Sequence, residues 1–585
     1  MSVVTASVSG ISSILKSPGF RKGSSEQRVR FRLPESLKEI LLDCINKTNL
    51  KPYAELICTI TDGEIKDGDL LRILQEVREY ISLLDKNLHH FVDSLLSVQW
   101  VSREIAVVAE YQGFLLDLLS AHNYYTKNAL ERLMPVFKSV GCEEEWVGGV
   151  PTEREMLAFS HVHEVLTVLL QVVPMSRDVL VQVVVNNFPY IRRPSHEHES
   201  YVYNILEIVK RQPGLRLEFL LLIMKKLVAL DVYAPRAEVL DAEDKGAELF
   251  EMETHLGMCH PEANTLDVVM VQLLGFVQAQ CGPQDWERIR ALYHDLLAAF
   301  DQVVLTTHAT HHVQFLLFYL CSFRAVMAEA FVGFLWRKVT SPNVAPVIRQ
   351  SAVMYLGSLL ARAAYVNVSM LKTSLAEMSV WIHSYICNQD GLESAKLDVR
   401  IHAVFYTICQ ALFYVIAFRH SDLIDSKKNL MFLQSLNLTK MVTCKLNPLR
   451  VCSPVVTQNF AAVTRMYQLA YCYSIMEHNA RNSMPVVHEH HRGLAACKSA
   501  WVDTFFPFDP FILQRSAHYI QPIYRSYQKP ADDGSCNVQK EEDDRNEEED
   551  EDDFLADETP RNSCSNSPSF RDIFSYSSSP GFKWM

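Results

Sequence analysis

The stretch PVIRQSAVMYLGSL, residues 346–359, decides the fold class that we predict for this chain. Its apolar side chains recur at spacings of three and four residues, which places them on one face of an α-helix. They are Ile348, Ala352, Leu356 and Leu359. A lone helix cannot bury such a face, so the pattern predicts that this helix packs against a neighbouring helix.

The same stretch matches the second helix of a HEAT repeat, a unit of two paired helices, and Arg349 stands near its start. Such pairs bury their apolar faces by stacking on the next pair, which builds a solenoid. The alternative is an ordinary amphipathic helix in a compact domain. No convincing strand pattern interrupts residues 33–525, which favours stacked pairs. We predict an all-α, HEAT-repeat-like superhelical solenoid with disordered N- and C-terminal segments.

Further stripes with helical spacing extend this pattern along the chain. The clearest is formed by Leu70, Ile73, Leu74, Val77, Ile81 and Leu84, and others run over 165–173, 215–230, 266–277, 315–336 and 404–415. We place the solenoid at residues 33–525 and interpret the polar segment 236–263 as a loop insertion between helices. A flexible Ser-rich and basic leader, 1–32, and a disordered acidic and Ser-rich tail, 526–585, flank the solenoid.

The net charge is carried almost entirely by the tail. The 585 residues contain 56 Lys and Arg against 69 Asp and Glu, a formal net charge of -13. Residues 541–558 hold thirteen of the acids and one base, so the rest of the chain has 55 basic and 56 acidic residues. A nearly neutral body does not suit general phosphate neutralisation, and we expect no direct sequence-specific DNA binding. We hypothesise that the tail limits nonspecific DNA contact or engages a basic surface on a partner.

The cysteines and the apolar runs predict neither a secreted protein nor a membrane protein. The fourteen cysteines are scattered without a C-x-x-C pair, which is typical of reduced thiols in a core. The most apolar stretches, 219–224 and 314–323, fall short of the roughly 18 residues of a membrane span. Residues 21–32 hold a broken basic stretch, which is either a nuclear import signal or part of a flexible leader.

Four groups of His and Cys residues resemble metal ligands. They are His308, His311 and His312; His196 and His198; His488, His490 and His491; and His255, Cys259 and His260. The first group lacks the intervening carboxylate of an H-E-x-x-H motif, and the last lacks a fourth ligand at structural-zinc spacing. Polar contacts at a helix start explain the first group, and solvated loops explain the second and third. We therefore predict no metal and no cofactor.

The sequence also lacks the motifs of common catalytic sites. No G-x-x-x-x-G-K-[ST], G-x-G-x-x-G or G-x-S-x-G occurs, and the whole chain has only 20 glycines. Phosphate-cradling loops and nucleophile elbows therefore lack the backbone that they require. We predict that the chain is an interaction scaffold and no enzyme.

Both predicted flexible ends carry Ser-Pro or Thr-Pro dipeptides. The candidates for regulatory phosphorylation are Ser17, Thr559, Ser567 and Ser579. Because a phosphate adds nearly two negative charges, it can order a segment against arginine or repel an acidic partner. Such dipeptides are also common in disordered segments without any regulatory role.

Several long motifs resemble one known family. They include the stretch from His308 through SPNVAPVIRQSAVMYLGSLLARA, followed by WIHSYICNQD (381–390), HAVFYTICQALFYVIAFRH (402–420), LQSLNL (433–438), LNPLRVC (446–452) and DTFFPFDPFILQRS (503–516). Weaker matches are NNFPYIRR (186–193) and KSPGFRKGSSEQRVRF (16–31). Together these motifs make the chain similar, over nearly its whole length, to the TIF-IA family of RNA polymerase I-specific transcription initiation factors.

The resemblance implies a HEAT-repeat factor of the nucleus and nucleolus. Such a factor binds RNA polymerase I near its stalk and contacts the promoter-bound selectivity factor, so that it bridges enzyme and ribosomal DNA. It is regulated by protein kinases, in the flexible ends and on a serine-bearing surface that faces the polymerase. Ser120 matches a family serine on that surface, Ser94 and Ser97 match more loosely, and Ser17 matches in the leader. A helix residue without a contact is the alternative for Ser120. Whether the free protein forms a homodimer is left open.

A nuclear transport receptor of the karyopherin kind is the alternative function. It is also a HEAT-repeat solenoid, and it binds a small GTPase and cargo. The family motifs above disfavour it, because they belong to the initiation factor. A pull-down that compares the polymerase with the GTPase separates the two hypotheses.

Overall fold

The computed structural model describes residues 36–61, 65–138, 146–249, 257–282, 285–308, 310–390, 399–482 and 506–527. The α-helices are α1 (Leu37–Asn46), α2 (Lys51–Thr61), α3 (Asp67–Glu79), α4 (His89–Leu96), α5 (Ile105–Ala121), α6 (Thr126–Leu133), α7 (Glu153–Val172), α8 (Ser176–Asn186), α9 (Ser195–Arg211), α10 (Arg216–Tyr233), α11 (Arg236–Leu249), α12 (Pro261–Cys281), α13 (Trp286–Ala299), α14 (Phe315–Ser322), α15 (Ala325–Thr340), α16 (Pro346–Arg362), α17 (Val368–Asp390), α18 (Ala403–Phe418), α19 (His420–Ile424), α20 (Lys427–Ser435), α21 (Leu438–Val442), α22 (Pro448–Val451), α23 (Pro454–Met466), α24 (Cys472–Asn482) and α25 (Ala517–Ile520).

The all-α prediction is confirmed. Across the described ranges the chain forms no β-strand, and extended pairing is limited to one isolated bridge between Ala363 and Tyr524. The chain divides into two compact units: unit 1 comprises residues 1–133 and 160–180, and unit 2 comprises 134–159 and 181–585. The predicted leader lies outside the described residues, as does the tail beyond residue 527.

In unit 1, α3 and α5 pack along the stripe that the sequence predicts. The stripe residues Leu70, Ile73, Leu74 and Val77 are at most 3% exposed. The α-helix ends at Glu79, so Ile81 begins a separate 3-10 turn and is only partly buried. Beside the stripe, the Arg78 guanidinium donates hydrogen bonds of 2.7 Å to Glu110 and to Asp117 of α5. These charge-assisted bonds fix the rotation of α5 against α3.

In unit 2, α15 and α16 form the helix pair that the stretch 346–359 predicts. A short connection joins the two helices, which makes them antiparallel neighbours. Ala352, Leu356 and Leu359 are at most 1% exposed. Near the start of α16, Arg349 Nε donates a 2.7 Å bond to the carbonyl of Val339. That carbonyl lies in the last turn of α15, where carbonyl groups lack partners within the helix.

The centre of this part of unit 2 is α18, which packs on α16, α17 and α23. Every side chain from Phe405 to Phe418 is buried. Gly357 of α16 allows a close approach, because a Cβ at that position would lie 3.0 Å from the Cβ of Ala411. A helix that is apolar on all sides is stable only when neighbours cover all of them, which is the arrangement found here.

Several helices begin where a capping side chain accepts a backbone N–H. Asp285 accepts from Arg288 N at the start of α13, and Ser426 accepts from Asn429 N at the start of α20. Prolines occupy the first position of α12, α16, α22 and α23. There the missing N–H removes no hydrogen bond within the helix.

The predicted loop insertion at 236–263 is wrong for its first half. Residues Arg236–Leu249 form α11, and Val239 on that helix is fully buried. The segment is rich in Ala, Glu and Leu, which favour helix although they leave only a weak apolar stripe. Residues 250–256 lie outside the described ranges, and α12 follows from Pro261.

Residues 506–527, here the C-terminal segment, close the core of unit 2. Phe508 is fully buried, and its ring centroid lies 4.9 Å from that of Phe318 and 5.3 Å from that of Phe315. The backbone N–H of Phe508 donates a 2.9 Å bond to Ser358 Oγ. Gln314 Nε2 donates a 2.6 Å bond to the carbonyl of Pro507. The segment therefore joins α14 and α16 with apolar and polar contacts.

Two carboxylates hold irregular backbone in unit 2. Asp267 of α12, which is fully buried, accepts the N–H groups of Arg515 and Ser516 at 2.7 and 2.9 Å. Asp231 of α10 is also fully buried and accepts three successive N–H groups, those of His311, His312 and Val313, at 2.9–3.2 Å. Each carboxylate thus accepts hydrogen bonds from backbone N–H groups that lie outside the helices and have no helical carbonyl as acceptor.

None of the cysteines in the described ranges forms a disulfide. Cysteines without a disulfide include Cys281, Cys321, Cys409, Cys452 and Cys472, all buried as the sequence predicts. Burial raises the pKa of Cys281 to about 11, so that thiol is uncharged at neutral pH.

In the described ranges, no helix is both long and apolar enough to cross a membrane.

Candidate functional site

Ser94 and Ser97 lie one turn apart at the C-terminal end of α4. The hydroxyl of Ser94 donates to the carbonyl of Phe91 at 2.7 Å, and the hydroxyl of Ser97 donates to the carbonyl of Asp93 at 2.7 Å. Ser94 is buried and Ser97 is exposed. Ser97 is therefore the one of the two that a kinase or a partner reaches without unfolding the helix.

Both serines line an open groove of about 430 Å³ between α2 and α4. On the α2 side the groove is lined by Tyr53, Ala54, Ile57, Cys58 and Thr61, and on the α4 side by His90, Asp93, Ser94 and Ser97. The Tyr53 hydroxyl accepts the N–H of Phe91 at 3.3 Å, so the groove floor is tied to α4. This groove combines apolar and polar side chains, which suits a protein partner.

Ser120 lies in the last turn of α5 and does not line the groove. Its hydroxyl donates a 2.6 Å bond to the carbonyl of Leu116, and its side chain is exposed. Beyond it, His122 Nε2 donates a 2.8 Å bond to the carbonyl of Ile81 and anchors the end of the helix. The structure thus brings Ser94 and Ser97 together and places Ser120 on another helix of unit 1.

The electrostatics at Ser97 and Ser120 oppose added negative charge. Ser97 follows the last residue of α4, and Ser120 precedes the last residue of α5, so both lie at the negative end of a helix dipole. Asp93 and Asp117 stand one turn before them. A phosphate at either serine would face a like charge, although Arg78 at 2.7 Å already neutralises part of Asp117.

His312 and His311 take part in polar contacts before α14. The Nδ1 atom of His312 lies 2.9 Å from Asp231 Oδ1, and both side chains are buried. Burial raises the pKa of Asp231, but the attraction of His312 and the hydrogen bonds from His312 and Val313 outweigh it, so the net pKa is lowered. Burial also lowers the pKa of His311. In this part of unit 2 the histidines are structural.

The expectation of a solvated loop around His196 and His198 is wrong. Pro194 and Ser195 begin α9, and both histidines are buried on its first turns. His196 lies 3.5 Å from Glu199 and 3.8 Å from Glu155, and its ring meets that of Trp146 edge-on at 5.3 Å. Polar residues at a helix start resemble loop residues in sequence, because both favour Ser, Pro and Glu.

Two further predicted ligands, Cys259 and His260, stand immediately before α12. His260 is the N-cap of α12, where its Nδ1 accepts the N–H of Ala263 at 3.4 Å, and Cys259 is exposed. The residues that lie outside the described ranges are His255, His488, His490, His491, Ser17, Thr559, Ser567 and Ser579. Among the described residues, no three His, Cys, Asp or Glu side chains converge as a metal site.

Comparison with known proteins identifies the family. The model of the family described as "RNA polymerase I specific transcription initiation factor RRN3" matches residues 34–255 and 237–532. A mouse (Mus musculus) protein named RNA polymerase I-specific transcription initiation factor RRN3 is 35% identical over 96% of this chain and 90% of its own length. The chain belongs to the RRN3 family.

Other members of the RRN3 family agree with this assignment. The fission yeast (Schizosaccharomyces pombe) factor of the same name is 26% identical over 79% of this chain and 80% of its own length. A crystal structure of RNA polymerase I transcription initiation factor Rrn3 is similar with a TM-score of 0.67 at 20% identity, and the match covers 83% of this chain and 96% of that one. That structural likeness confirms the fold, and the family resemblance predicted from the motifs is confirmed.

The structure assigns places to the motifs that carry the RRN3 family resemblance. HAVFYTICQALFYVIAFRH contains the buried helix α18, and residues 506–516 of DTFFPFDPFILQRS form the first half of the C-terminal segment bound by Asp267. Sequence reasoning missed Asp231 and Asp267 as anchors and also missed the α2/α4 groove. Asp267 and Ser516 are 249 positions apart, and no local signal in the sequence links them.

Proposed function

We propose that this chain is an RNA polymerase I transcription initiation factor of the nucleus and nucleolus. It binds the polymerase near its stalk and bridges it to the promoter-bound selectivity factor at ribosomal DNA. The observation that carries this proposal is the family match, which runs from residue 34 to residue 532 and includes both units. The relatives that share this length are named for the same function.

The physical character of the chain supports a role in bridging. Helix pairs present long surfaces to protein partners, and the body outside residues 541–558 has 55 basic and 56 acidic residues. A cavity of about 150 Å³ between α9 and α12 has Lys210 as its charged lining residue, and Glu207 pairs with that lysine at 2.6 Å. That cavity offers no nucleophile with an adjacent base. A scaffold without catalysis is the function that these features suit.

We place the polymerase-facing surface in unit 1, on the α2/α4 groove and the end of α5. Ser97 and Ser120 are exposed there, and Ser94, which is buried, lines the groove. Phosphorylation of Ser97 or Ser120 puts two negative charges at a helix C-terminus beside an aspartate, which opposes contact with an acidic or apolar partner surface. Protein kinases thereby lower the affinity for the polymerase.

The two ends of the chain carry the second group of regulatory candidates. Ser17, Thr559, Ser567 and Ser579 each precede a proline, as the substrates of proline-directed kinases do. Their modification changes the charge of the segments that precede α1 and follow α25, and it leaves the packing of the described helices unchanged. Phosphopeptide mapping of the protein from growing and starved cells tests each position.

Depletion and add-back test the proposed function. A nuclear extract depleted of this protein should lose specific transcription from a ribosomal promoter, and the purified chain should restore it. Transcription by RNA polymerase II in the same extract is the control and should not change. Restored nuclear import with unchanged ribosomal transcription would instead support a transport receptor.

A further inference from the structure

Unit 2 carries a basic surface that the proposed function does not use. Its centre is Lys138, Arg193 and Lys226, which act electrostatically on one another or on His198, and the exposed Arg192 and Lys225 adjoin them in sequence. Tyr190, in the same loop as the two arginines, is 70% exposed. We propose that this basic surface binds the acidic segment 541–558 of the same chain. The bound tail then covers the surface until another anion displaces it.

The loop that carries Tyr190 has a fixed conformation. The carbonyl of Tyr190 accepts the N–H of Arg193 at 2.8 Å and a bond of 3.1 Å from His198 Nε2. The pKa of His198 is lowered to about 4, chiefly by burial; the hydrogen bond to Tyr190 opposes this shift, and the charges of Lys226 and Lys138 add to it. His198 is therefore uncharged at neutral pH and acts as a neutral anchor for the loop.

Aromatic rings hold two of the lysines in place. Lys226 Nζ lies 5.2 Å from the ring centroid of Phe188, and Lys138 Nζ lies 5.7 Å from that of Tyr201. The rings of Phe188 and Tyr201 are themselves 5.4 Å apart. The two ammonium groups are thus drawn to one pair of rings and set in defined positions.

Within the part of the chain that the structure describes, the charges of this surface are only partly compensated, because Glu197 attracts Lys138 but no carboxylate pairs with the other four. None of the five basic side chains forms an ion pair there, whereas Lys210, Arg216 and Lys338 in the same unit pair with carboxylates at 2.5–2.8 Å. Burial lowers the pKa of Lys138; Glu197 opposes this shift and Arg193 adds to it. An added carboxylate would relieve this repulsion among like charges.

The length and the chemistry of the tail suit binding to a basic surface on the same chain. It begins fourteen residues after Tyr527, the last described residue, and ends thirty-one residues after it. At about 3.3–3.6 Å per residue these lengths span up to about 50 and 110 Å. The acidic run is interrupted by Phe554 and Leu555, which give apolar contacts for Tyr190.

Tethering favours the chain's own tail over an acidic segment in solution. A flexible linker gives an effective concentration of roughly millimolar for a site within reach. Thirteen acids face five bases, so the contact is strong at low salt and weakens as ions screen it. Phosphorylation of Thr559, next to the acidic run, adds nearly two charges and tightens the contact.

Zero-length carbodiimide cross-linking of the full-length chain tests this proposal, because it joins a lysine amine to a carboxylate only where the two touch. We expect Lys138, Lys225 and Lys226 to be joined to residues 541–558. Lys427 and Lys428, two exposed lysines at the start of α20 in the same unit, are the matched control and should give few such products. Mixing isotope-labelled and unlabelled chains identifies links between two molecules.

Two variants make the test specific. Arg192→Glu with Arg193→Glu changes exposed side chains and should reduce the tail cross-links by about tenfold, because charge repulsion replaces attraction. Full-length protein with the thirteen acids changed to amides is the reagent control, because its segment 541–558 has no carboxylate that the carbodiimide can activate. An unchanged far-ultraviolet circular dichroism spectrum and thermal midpoint verify that each variant is folded.

Three results would overturn the proposal. They are equal tail cross-linking at Lys427 and Lys428, no tail cross-linking at all, and tail cross-links that form only between molecules. Binding of duplex DNA at this surface with the same affinity in the wild type and in the amide variant would also contradict it. That outcome would assign the surface to nucleic acid, with the tail playing no part.

Discussion

Asp231 Oδ1 lies 2.9 Å from Nδ1 of His312, and both side chains are at most 1% exposed. The other carboxylate oxygen of Asp231 accepts the backbone N–H groups of residues 311–313. The pair therefore links α10 to the irregular segment before α14. What resembles a metal motif in sequence serves here to fix the backbone at a helix start.

The change Asp231→Asn should destabilise this segment by about 1–3 kcal/mol, because three buried backbone N–H groups lose a charged acceptor. The amide also turns an NH2 group toward backbone donors that need an acceptor. Hydrogen exchange in residues 310–322 measures the effect directly, and the thermal midpoint should fall with it. Asp295→Asn, which breaks a more exposed pair with Arg216, is the control and should change stability by about 1 kcal/mol.

The Asp231 pair also predicts a dependence on pH. The folded state lowers the pKa of Asp231, so its contribution to stability is complete above the unfolded pKa of about 4 and is lost as pH falls through the folded pKa. The protection of the amides of residues 311–313, measured as hydrogen exchange relative to the intrinsic rate at each pH, should therefore fall on acidification below about pH 4 in the wild type. In Asp231→Asn this protection should already be low at pH 7. Equal acid sensitivity in both proteins would show that other carboxylates dominate.

Asp267 should control the attachment of the C-terminal segment. The change Asp267→Asn removes a charged acceptor from two N–H groups and the Ser516 hydroxyl, which should weaken the attachment by about 2–3 kcal/mol. Limited proteolysis should then cut within residues 506–527 while α18 stays protected. Asp285→Asn is the control, because asparagine caps a helix as well as aspartate does. Unchanged protease resistance would show that the aromatic contacts of Phe508 are sufficient.

The contact between α16 and α18 should tolerate no larger residue at Gly357. A Cβ there lies 3.0 Å from the Ala411 Cβ, so Gly357→Val should destabilise unit 2 by about 1–3 kcal/mol through overpacking. Gly333→Val in α15 is the matched control, because a Cβ at Gly333 meets no atom within 4 Å. Comparison of the two thermal midpoints removes the shared effect of valine on helix propensity. Equal midpoints would contradict the close packing of the two helices.

The helices could be predicted from the sequence, whereas the anchors of irregular backbone could not. The stripe from Leu70 to Val77 has its own periodicity, and burial follows from it. Segment 236–249 has helix propensity but a weak stripe, so periodicity alone misassigned it as a loop. Asp267 and Ser516 meet only because the chain folds, and nothing near either residue indicates the other. Only the structure separates the groove lined by Ser94 and Ser97 from the end of α5, where Ser120 lies.

Charge at Ser97 and Ser120 should weaken binding to the polymerase without unfolding unit 1. We expect Ser120→Asp to destabilise α5 by only about 0.3–1 kcal/mol through the helix dipole, while binding falls by tenfold or more. Ser120→Asn has a similar shape without the charge and should bind as the wild type does. Ser97→Asp and Ser97→Asn form a second pair on the groove. Intact binding by a folded Ser120→Asp protein would remove Ser120 from the proposed surface.

The most direct test of the proposed function is affinity capture of RNA polymerase I from a nuclear extract by the full-length tagged chain, with subunits quantified by mass spectrometry. Capture of RNA polymerase II is measured in parallel. The proposed function predicts strong enrichment of RNA polymerase I subunits over those of polymerase II, and loss of that enrichment in Ser120→Asp but not in Ser120→Asn. Equal recovery of the two polymerases, or recovery of neither, would contradict it.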